Sequence, residues 1–396
     1  MSERRLRIVQ LVSQTVIGGA ETFGFELSAA LARRGHEVLL LANRANGPLF
    51  EREAPAGMQM RALDRRSRLS PRILPFLDGA IRSFRPDVLH SHNFEANTWA
   101  RTIALAHPRL VLACHDHSGR KIAQKAHRIW IDRILFRRCD VVYAVSEDLA
   151  NLLRNRHHVP RTVLRLLPNG IRIERYRPPD ALRRDPQAVV CVASLTPVKN
   201  HAGLLEAWQE IARRHPAARL TLVGDGPLRA DLERVARERG IDGSVRFAGV
   251  QQDVRPFLWE ATVFVLPSHR EAMPLSILEA MAAETAVVAS AVGAIPDMLA
   301  GGEAGILVPP GEIPGLVAAL GRLLSSPEDR RPIVERASEV VKARFSLDEE
   351  AARIEEDYRA ALDRRRGGAR RAVDDGVDAE PESTQSRSRR RAGVDT

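Results

Sequence analysis

The sequence predicts an α/β protein with two successive Rossmann-like domains, whose parallel sheets face each other across a cleft. Apolar, β-rich segments alternate with helical ones through most of the 396 residues, as parallel sheets covered by helices require. Polar residues follow the C-terminal ends of these segments, where such sheets bind ligands. A stretch rich in Pro, Asn and Gly, LLPNGIRIERYRPP, interrupts the alternation and suits a linker. We therefore predict one domain over residues 1–172 and a second over residues 173–346.

The first domain is predicted to begin with a buried strand over residues 6–13. The segment GGAETFGFELSAALARRG then predicts a glycine loop that opens a helix ending at Gly35. The remaining predicted strands are apolar runs with polar C-terminal ends, and they cover residues 36–43, 86–92, 109–117 and 140–147.

The second domain repeats this pattern. Its predicted strands cover residues 188–195, 218–226, 244–250, 261–268, 285–293 and 304–311. A last helix, predicted for residues 347–363, has apolar residues at helical spacing and is expected to pack back on the first domain. Residues 364–396 contain almost nothing apolar to bury, so we predict a disordered, charged tail.

The excess of basic residues is concentrated in two stretches. The formal net charge is +10, and residues 61–85 carry seven Arg against two Asp, while residues 120–138 carry seven basic residues against one acidic residue. The second stretch predicts a basic amphipathic helix, whose charged face is either solvated or docked on an anionic membrane surface. Nucleic acid is not an expected partner, because no recognition motif accompanies the charge.

The cysteines and the hydropathy of the sequence indicate a protein of the reducing cytoplasm. Cys114, Cys139 and Cys191 lack the spacing of a zinc site or a disulfide framework and are expected to be buried thiols in a reducing compartment. No apolar run approaches the about 18 residues that a membrane span needs, and the N-terminal run is too short for a signal peptide. We expect a cytoplasmic protein, and the basic stretches fit peripheral contact with the inner face of the cytoplasmic membrane.

The stretch REAMPLSILEA predicts a phosphate-binding strand–loop–helix unit. Pro274 suits the first turn of the helix, and the free amides of Leu275 and Ser276 would offer an anion site at the positive end of the helix dipole. Glu279, about one turn further along, could accept hydrogen bonds from a vicinal diol such as that of ribose. Glu271 would face the other side of the phosphate. Together these residues could bracket a sugar nucleotide.

Other predicted strands also end in residues that suit the binding of a phosphate or a sugar. Lys199 follows the first strand of the second domain in ASLTPVKNH, where a cation could meet a diphosphate. Gly224 in LVGDGP, and Gly18 and Gly19 in IGGAE, stand where a backbone approaches a ligand closely. His115 in ACHDH lies at the same rim of the first domain.

The sequence resembles the retaining, nucleotide-sugar-dependent glycosyltransferases of family 4, which have the GT-B fold of two Rossmann-like domains. The resemblance covers roughly residues 6–363 and rests on GGAE, ACHDH, PNGI, SLTPVKN, VGDGPL and EAMPLSILEAMA, in the order of the family. None of these stretches is specific alone, whereas together they are specific for the family.

The resemblance implies a role for each matched residue of the second domain. Glu279 would hold the nucleotide ribose, and Glu271 would contact hydroxyls of the donor sugar. Lys199 and the amides of Leu275 and Ser276 would bind the diphosphate and stabilise it as it leaves.

The remaining implied contacts come from both domains. In the first domain, His115 would hydrogen-bond the transferred sugar, and Gly18 and Gly19 would let their loop approach the phosphate and the acceptor. In the second, the nucleobase would lie near Val250. The other residues assigned to the donor site are Gly224, Met273 and Pro274.

Two departures from the family pattern stand out. Many relatives have an Arg where Ser194 stands, so we expect Lys199 to be more isolated here. A Gly is usual where Glu284 stands, and we expect this change to alter only a turn.

The resemblance implies a retaining hexosyltransferase, with a UDP- or GDP-sugar as co-substrate. The basic charge of the first domain suits a glycan acceptor that is a lipid-linked saccharide or a polysaccharide precursor at the inner face of a membrane. No D-x-D sequence occurs, which favours a metal-independent enzyme without a cofactor. Two alternatives stay open. A nucleotide-sugar 2-epimerase of the same fold would need no acceptor, and a non-catalytic protein would bind a glycan or a partner without turnover.

Overall fold

The computed structural model of the chain describes residues 4–63, 72–117 and 133–377, with side chains to residue 366. Two parallel sheets, each with helices on both faces, confirm the prediction of two Rossmann-like domains. The sheets are separated by residues 167–184, which include the predicted boundary at 172.

Within the described residues, the first sheet has seven strands in the order β3-β2-β1-β4-β5-β6-β7. They are β1 (Arg7–Val12), β2 (Glu37–Ala42), β3 (Met58–Ala62), β4 (Val88–His92), β5 (Val111–Asp116), β6 (Val141–Ala144) and β7 (Leu164–Leu166). In register, Ile8 of β1 lies between Val38 of β2 and Val88 of β4. Strands β4, β5 and β6 are buried at every residue, as a sheet covered on both faces requires.

The second sheet has six strands in the described part of the chain, in the order β10-β9-β8-β11-β12-β13. They are β8 (Asp185–Val192), β9 (Arg219–Val223), β10 (Val245–Gly249), β11 (Ala261–Leu266), β12 (Ala286–Ser290) and β13 (Ile306–Val308). Phe264 of β11 lies between Val190 and Val287 and is fully buried.

Strands β3 and β7 are absent from the sequence prediction. Both are edge strands of the first sheet, and their sequences, MQMRA and LRL, are short and mix polar with apolar residues. An edge strand pairs on one side only, so its sequence carries less of the apolar pattern that identifies a central strand.

Helices connect the strands and cover the sheets. The first domain has α1 (Gly19–Arg33), α2 (Ile73–Phe84), α3 (Asn93–Ala104) and α4 (Glu147–Arg156), and the linker contains the short helix α5 (Ile173–Tyr176). The second domain has α6 (His201–Arg214), α7 (Arg229–Glu238), α8 (Arg255–Glu260), α9 (Leu275–Ala282), α10 (Ile295–Met298), α11 (Ile313–Ser325) and α12 (Pro327–Arg344).

The chain passes between the domains twice, and the two segments cross in contact. The amide of Ile171 donates to the Phe345 carbonyl at 2.9 Å, and the amide of Leu347 donates to the Ile171 carbonyl at 3.0 Å. A Cβ on Gly170 would lie 2.7 Å from the Leu347 nitrogen, so only glycine fits this crossing without displacing backbone. The buried Glu350 also accepts a hydrogen bond from the Gly170 amide at 2.5 Å.

The final helix, α13 (Leu347–Val377), returns to the first domain. Its Tyr358 is fully buried, with the hydroxyl 2.6 Å from His90 Nδ1, and Asp357 accepts a hydrogen bond from the Tyr143 hydroxyl at 3.1 Å. The helix continues past the predicted end at residue 363, so residues 364–377 are helical and not disordered as predicted. At the start of this extension, Arg365 binds both carboxylate oxygens of Asp140 at 2.8 Å and so anchors the helix on the first domain.

Three predictions fall partly on residues outside the described ones. These are the basic helix predicted within residues 120–138, of which 120–132 are not described, the basic stretch 61–85, of which 64–71 are not described, and the predicted tail 364–396, of which 378–396 are not described. In the described ranges, no helix combines the length and the apolar content that crossing a bilayer requires.

The crossing of the two segments gives a first prediction. Replacing Gly170 with Ala should lower the free energy of unfolding by about 1–3 kcal/mol, because the added methyl overpacks a site bounded by backbone. Chemical denaturation measures the change. The control is Gly79→Ala in α2, where a Cβ meets nothing within 4 Å and stability should be unchanged or higher. Equal effects of the two substitutions would contradict this account.

The residue after α9 gives a second prediction. Glu284 has a φ of 56°, a left-handed conformation that glycine adopts with little penalty at a helix C-terminus. Glu284→Gly should therefore raise the free energy of unfolding by about 0.5–1 kcal/mol. The control Glu335→Gly, within the exposed face of α12, should lower it by about 1 kcal/mol. A destabilised Glu284→Gly protein would show that its backbone is not strained.

Candidate active site

The candidate site is centred on the loop of residues 267–274, which joins β11 to α9 at the C-terminal edge of the second sheet. Oε1 of Glu271 accepts hydrogen bonds from Lys199 Nζ at 2.5 Å and from Ser268 Oγ at 2.7 Å. The side chain of Glu271 is only 9% exposed, so this ion pair is less screened by water than a surface pair. Lys199 is therefore not isolated by the Ser194 substitution, because Glu271 is its direct partner.

The backbone around Glu271 is held from neighbouring loops. The amide of His269 donates to the Val198 carbonyl at 2.8 Å, beside the 3-10 turn Pro197–Lys199. A Cβ on Gly293, whose φ is 57°, would lie 2.2 Å from the Glu271 carbonyl oxygen. The amide of Ala294 donates to the Ala272 carbonyl at 2.9 Å. These contacts hold the backbone of the loop that carries Glu271.

Helix α9 begins directly after this loop. Pro274 is its N-cap residue, with φ −75° and ψ 120°, so the helix starts at Leu275. The amide of Ile277 donates to the Pro274 carbonyl at 3.3 Å, which leaves Leu275 and Ser276 as the residues whose amides begin the helix. Both are partly exposed, as an anion-binding helix N-terminus requires.

Glu279 lies within α9 and is buried, with 9% exposure. Its Oε1 accepts a hydrogen bond from the Tyr176 hydroxyl at 2.9 Å. Burial raises the pKa of the Glu279 carboxyl, against the opposing effects of the Tyr176 hydrogen bond and the nearby Arg175 and Arg52. Tyr176 is not among the residues predicted from the sequence, and its position in the linker after PNGI is the signal that could have indicated it.

Met273 and Gly224 contact other parts of the protein. The backbone amide of Asn169 lies 3.1 Å from the sulfur of Met273. The Met273 side chain therefore faces the linker and not an open donor site. A Cβ on Gly224, whose φ is 138°, would lie 2.1 Å from the Ala193 carbonyl oxygen. The close approach predicted for Gly224 is therefore to a neighbouring loop. Val250 is 52% exposed at the end of β10, where it is free to contact a ligand.

Gly18 and Gly19 lie at the start of α1 in the first domain. Gly18 is the N-cap residue of this helix, and a Cβ on it would meet Oε2 of Glu21 at 2.9 Å. A Cβ on Gly19 would meet nothing within 4 Å, so open space borders this position. Burial raises the pKa of the Glu21 carboxyl to about 7.

His115 is fully buried in a group of four histidines at the ends of β4 and β5, together with His90, His92 and His117. Its ring lies 4.2 Å from the ring of His117 and 5.1 Å from that of Phe23. Burial lowers the pKa of His115 well below its usual range, so the ring is neutral. His115 thus lies beneath the surface of the cleft, and the predicted contact with a sugar would require a rearrangement. His117, which the sequence analysis passed over, is the partly exposed ring of the group.

The histidine group offers the strongest metal candidate among the described residues. Ring nitrogens of His90, His92 and His115 lie within 4.8 Å of one another. A tetrahedral zinc site, with Zn–N bonds of about 2.0–2.1 Å, needs nitrogens roughly 3.4 Å apart. His92 Nε2 already lies 2.7 Å from the Gln10 amide oxygen, and His90 Nδ1 lies 2.6 Å from a tyrosine hydroxyl. His90 and His92 thus each use one ring nitrogen in a hydrogen bond, whereas neither ring nitrogen of His115 has a hydrogen-bond partner among the described residues.

A cavity of about 440 Å³ lies away from this site. Its lining includes Asp185, Arg219 and Ala261, the first residues of β8, β9 and β11. It therefore opens at the N-terminal edge of the second sheet, whereas ligands of parallel sheets bind at the C-terminal edge.

Two family models match the chain, one for each domain. The model described as Glycosyltransferase Family 4 matches residues 17–175, and the model described as Glycosyl transferases group 1 matches residues 186–326. The lipopolysaccharide core biosynthesis glycosyltransferase LpsE of Rhizobium meliloti is 29% identical over 335 residues, which cover 83% of this chain and 92% of LpsE. The D-inositol 3-phosphate glycosyltransferase of Saccharomonospora viridis is 28% identical over 397 residues, which cover 89% of this chain and 91% of that protein.

Solved structures share the fold. The sucrose-phosphate synthase of Thermosynechococcus elongatus superposes with a TM-score of 0.77 at 22% identity, covering 90% of this chain and 99% of that one. Anabaena HepE, in complex with UDP, superposes with a TM-score of 0.75 at 18% identity, covering 90% and 100%. Because a glycosyltransferase model matches each domain and 90% of the chain superposes on these solved structures, the chain belongs to the family 4 glycosyltransferases with the GT-B fold.

Proposed function

We propose that the chain transfers a hexosyl group from a nucleoside-diphosphate sugar, with retention of anomeric configuration, to a hydroxyl of a lipid-linked saccharide or a polysaccharide precursor. One observation carries this proposal. The ion pair of Lys199 and Glu271 stands beside the N-terminus of α9, and Glu279 follows on the same helix. The loop, the helix and Lys199 thus present a cation and backbone amides for a diphosphate. They also present one carboxylate for the ribose, Glu279, and one for the transferred sugar, Glu271.

Lys199 and the start of α9 act on the leaving group. An ammonium group has three donors, so Lys199 can hold Glu271 and a phosphate oxygen at the same time. The amides of Leu275 and Ser276 add the positive end of the helix dipole. Negative charge on the diphosphate grows as its bond to the sugar breaks, so these groups bind the transition state more strongly than the ground state.

The proposed reaction exchanges one bond at the anomeric carbon for another. The acceptor oxygen forms its bond on the face from which the diphosphate departs, and the broken bond leaves its electron pair on the diphosphate. The hydroxyl proton passes to an oxygen of the departing phosphate. The products are a glycoside and a nucleoside diphosphate, and the reaction as proposed uses no metal and no cofactor.

The comparisons support parts of this proposal. HepE was solved with UDP and with UDP-glucose, which supports a nucleotide-sugar donor for a chain of the same fold. The name of LpsE refers to lipopolysaccharide core biosynthesis, which supports a glycan acceptor attached to a lipid. The basic stretches 61–85 and 120–138 suit an anionic membrane surface near such an acceptor.

Nucleotide binding provides the first test. UDP or GDP, at concentrations above its dissociation constant, should raise the melting temperature of the purified protein, because the ligand binds the folded state alone. Glu279→Gln and Lys199→Met should each remove most of this shift. The matched controls are Glu335→Gln and Lys342→Met, both on exposed positions of α12. No shift with UDP, GDP or ADP would refute the donor site and favour a non-catalytic protein.

Glu271 provides a second test, specific to the chemistry. Glu271→Gln should lower sugar transfer by on the order of 10²-fold or more, because it removes a charge beside the reacting sugar. The shift in melting temperature caused by the nucleoside diphosphate should persist, since the glutamine amide oxygen can still accept a hydrogen bond from Lys199, and Glu279 and the amides of α9 are unchanged. Product analysis by NMR should show retained configuration at the anomeric carbon. Free epimerised sugar nucleotide, formed from donor alone, would instead support the 2-epimerase.

A further inference from the structure

The linker between the domains contributes directly to the candidate donor site. Tyr176, the last residue of α5, donates its hydroxyl hydrogen to Glu279 at 2.9 Å. Its backbone carbonyl accepts a hydrogen bond from Trp259 Nε1 at 2.7 Å, which fixes the end of α5 against the second domain. The tyrosine is therefore held in place from a side that does not involve Glu279.

The first domain contributes charge to the same position. Oε1 of Glu26 in α1 lies 2.5 Å from Arg175 and 3.6 Å from Arg52, so this carboxylate joins the linker to the first domain. Arg52 also donates to the carbonyl of Gln252 in the second domain at 3.2 Å. Gln252 in turn donates to Glu51 at 3.1 Å. This interdomain bridge, formed by Glu26, Glu51, Arg52, Arg175 and Gln252, is connected to Glu279 through Arg175 and the adjacent Tyr176 of α5.

We propose that Tyr176 of the linker is a positioning residue for Glu279, and that Arg52 of the first domain supports it through Glu26 and Arg175, so that the ribose-binding carboxylate is complete only when the domains adopt the arrangement described here. The inference rests on the proposed function, because it takes Glu279 as the residue that binds the donor ribose.

The chemistry of a carboxylate explains why it needs these partners. Two hydroxyls of a diol can both donate to Glu279 only if the carboxyl is ionised, since a protonated carboxyl offers a donor in place of one acceptor. Burial raises the pKa of Glu279, and Glu26 adds to this effect, while Tyr176, Arg175 and Arg52 oppose it. A carboxylate has about four lone-pair sites, so the tyrosine occupies one and leaves the others for a diol.

The substitution Tyr176→Phe removes the hydroxyl of Tyr176 and keeps its ring. The ring packs beside the hydrophobic core, a role that phenylalanine would fill equally well. The effect of removing the hydroxyl alone therefore reports on the hydrogen bond to Glu279. Tyr143 supplies a matched control, because its hydroxyl also donates to a carboxylate, Asp357, at 3.1 Å in the first domain.

Titration calorimetry with UDP and with 2′-deoxy-UDP tests the inference. Tyr176→Phe should weaken UDP binding by roughly tenfold, the size expected for a hydrogen bond to a charged group. It should also reduce the preference for UDP over 2′-deoxy-UDP, because a misplaced carboxylate no longer distinguishes the ribose hydroxyl. Tyr143→Phe should change neither quantity. Arg52→Gln should act in the same direction as Tyr176→Phe, whereas Arg336→Gln, on the exposed face of α12, should not.

The pH dependence gives an independent readout. Glu279 has a raised pKa, so UDP affinity should fall as the pH drops through that value and protonates the carboxyl. Tyr176→Phe removes a group that favours the ionised form, so its affinity should fall at a higher pH than that of the unmodified protein. A merely structural role for Tyr176 would lower stability without moving this profile.

The outcomes separate the inference from the proposed function. If UDP does not bind the unmodified protein, or if Glu279→Gln binds it normally, the ribose site itself is wrong. If Glu279→Gln loses binding while Tyr176→Phe and Arg52→Gln keep normal affinity, ribose preference and pH profile, the positioning role alone is wrong. A change in Tyr143→Phe as large as that in Tyr176→Phe would also overturn it.

Discussion

The crossing of the two interdomain segments determines where the parts of the site meet. Ile171 bonds to Phe345 and Leu347, and Gly170 allows the backbones to touch. Asn169, immediately before the crossing, contacts the loop that carries Glu271 through Met273. Helix α5, immediately after it, brings Tyr176 to Glu279. A shift of this crossing would therefore displace contacts on both sides of the candidate donor site.

The site concentrates ionisable groups in partly buried positions, where each one needs a partner. An isolated buried charge loses its hydration and is strongly disfavoured. Glu271 is stabilised by Lys199 and Ser268, and Glu279 by a tyrosine hydroxyl and two nearby arginines. These partners come from three different parts of the chain, namely the second domain, the linker and the first domain. The charge pattern of the site thus depends on the relative placement of the domains.

Ser194, which stands where many relatives have an arginine, shows that a departure from a family pattern must be interpreted together with the residues around it in the structure. By sequence, the missing arginine leaves Lys199 without a companion cation at the diphosphate. In the structure, Lys199 has a carboxylate partner at 2.5 Å, so its position is held by Glu271. A lysine held by a carboxylate loses less side-chain freedom when it binds a phosphate than an unpaired lysine would.

The sequence alone determined the class of fold, the central strands and the motif that carries the candidate site. Central strands of a parallel sheet are buried on both faces, so their apolar runs are long and distinct. The stretch REAMPLSILEA forms one continuous loop and helix. Pro274 sets the start of the helix, so the exposed amides could be predicted from adjacent residues alone. Strands β3 and β7 were missed because their sequences, MQMRA and LRL, are short and contain no continuous apolar run.

Only the tertiary structure decided which distant residues share the site. Lys199 and Glu271 are separated by 72 positions, and Tyr176 and Glu279 by 103, so no local pattern could pair them. The same holds for the burial of His115, because three other histidines and Phe23 cover it from separate elements. Contacts between segments far apart in the chain depend on how sheets and helices pack, and that packing is a property of the whole fold.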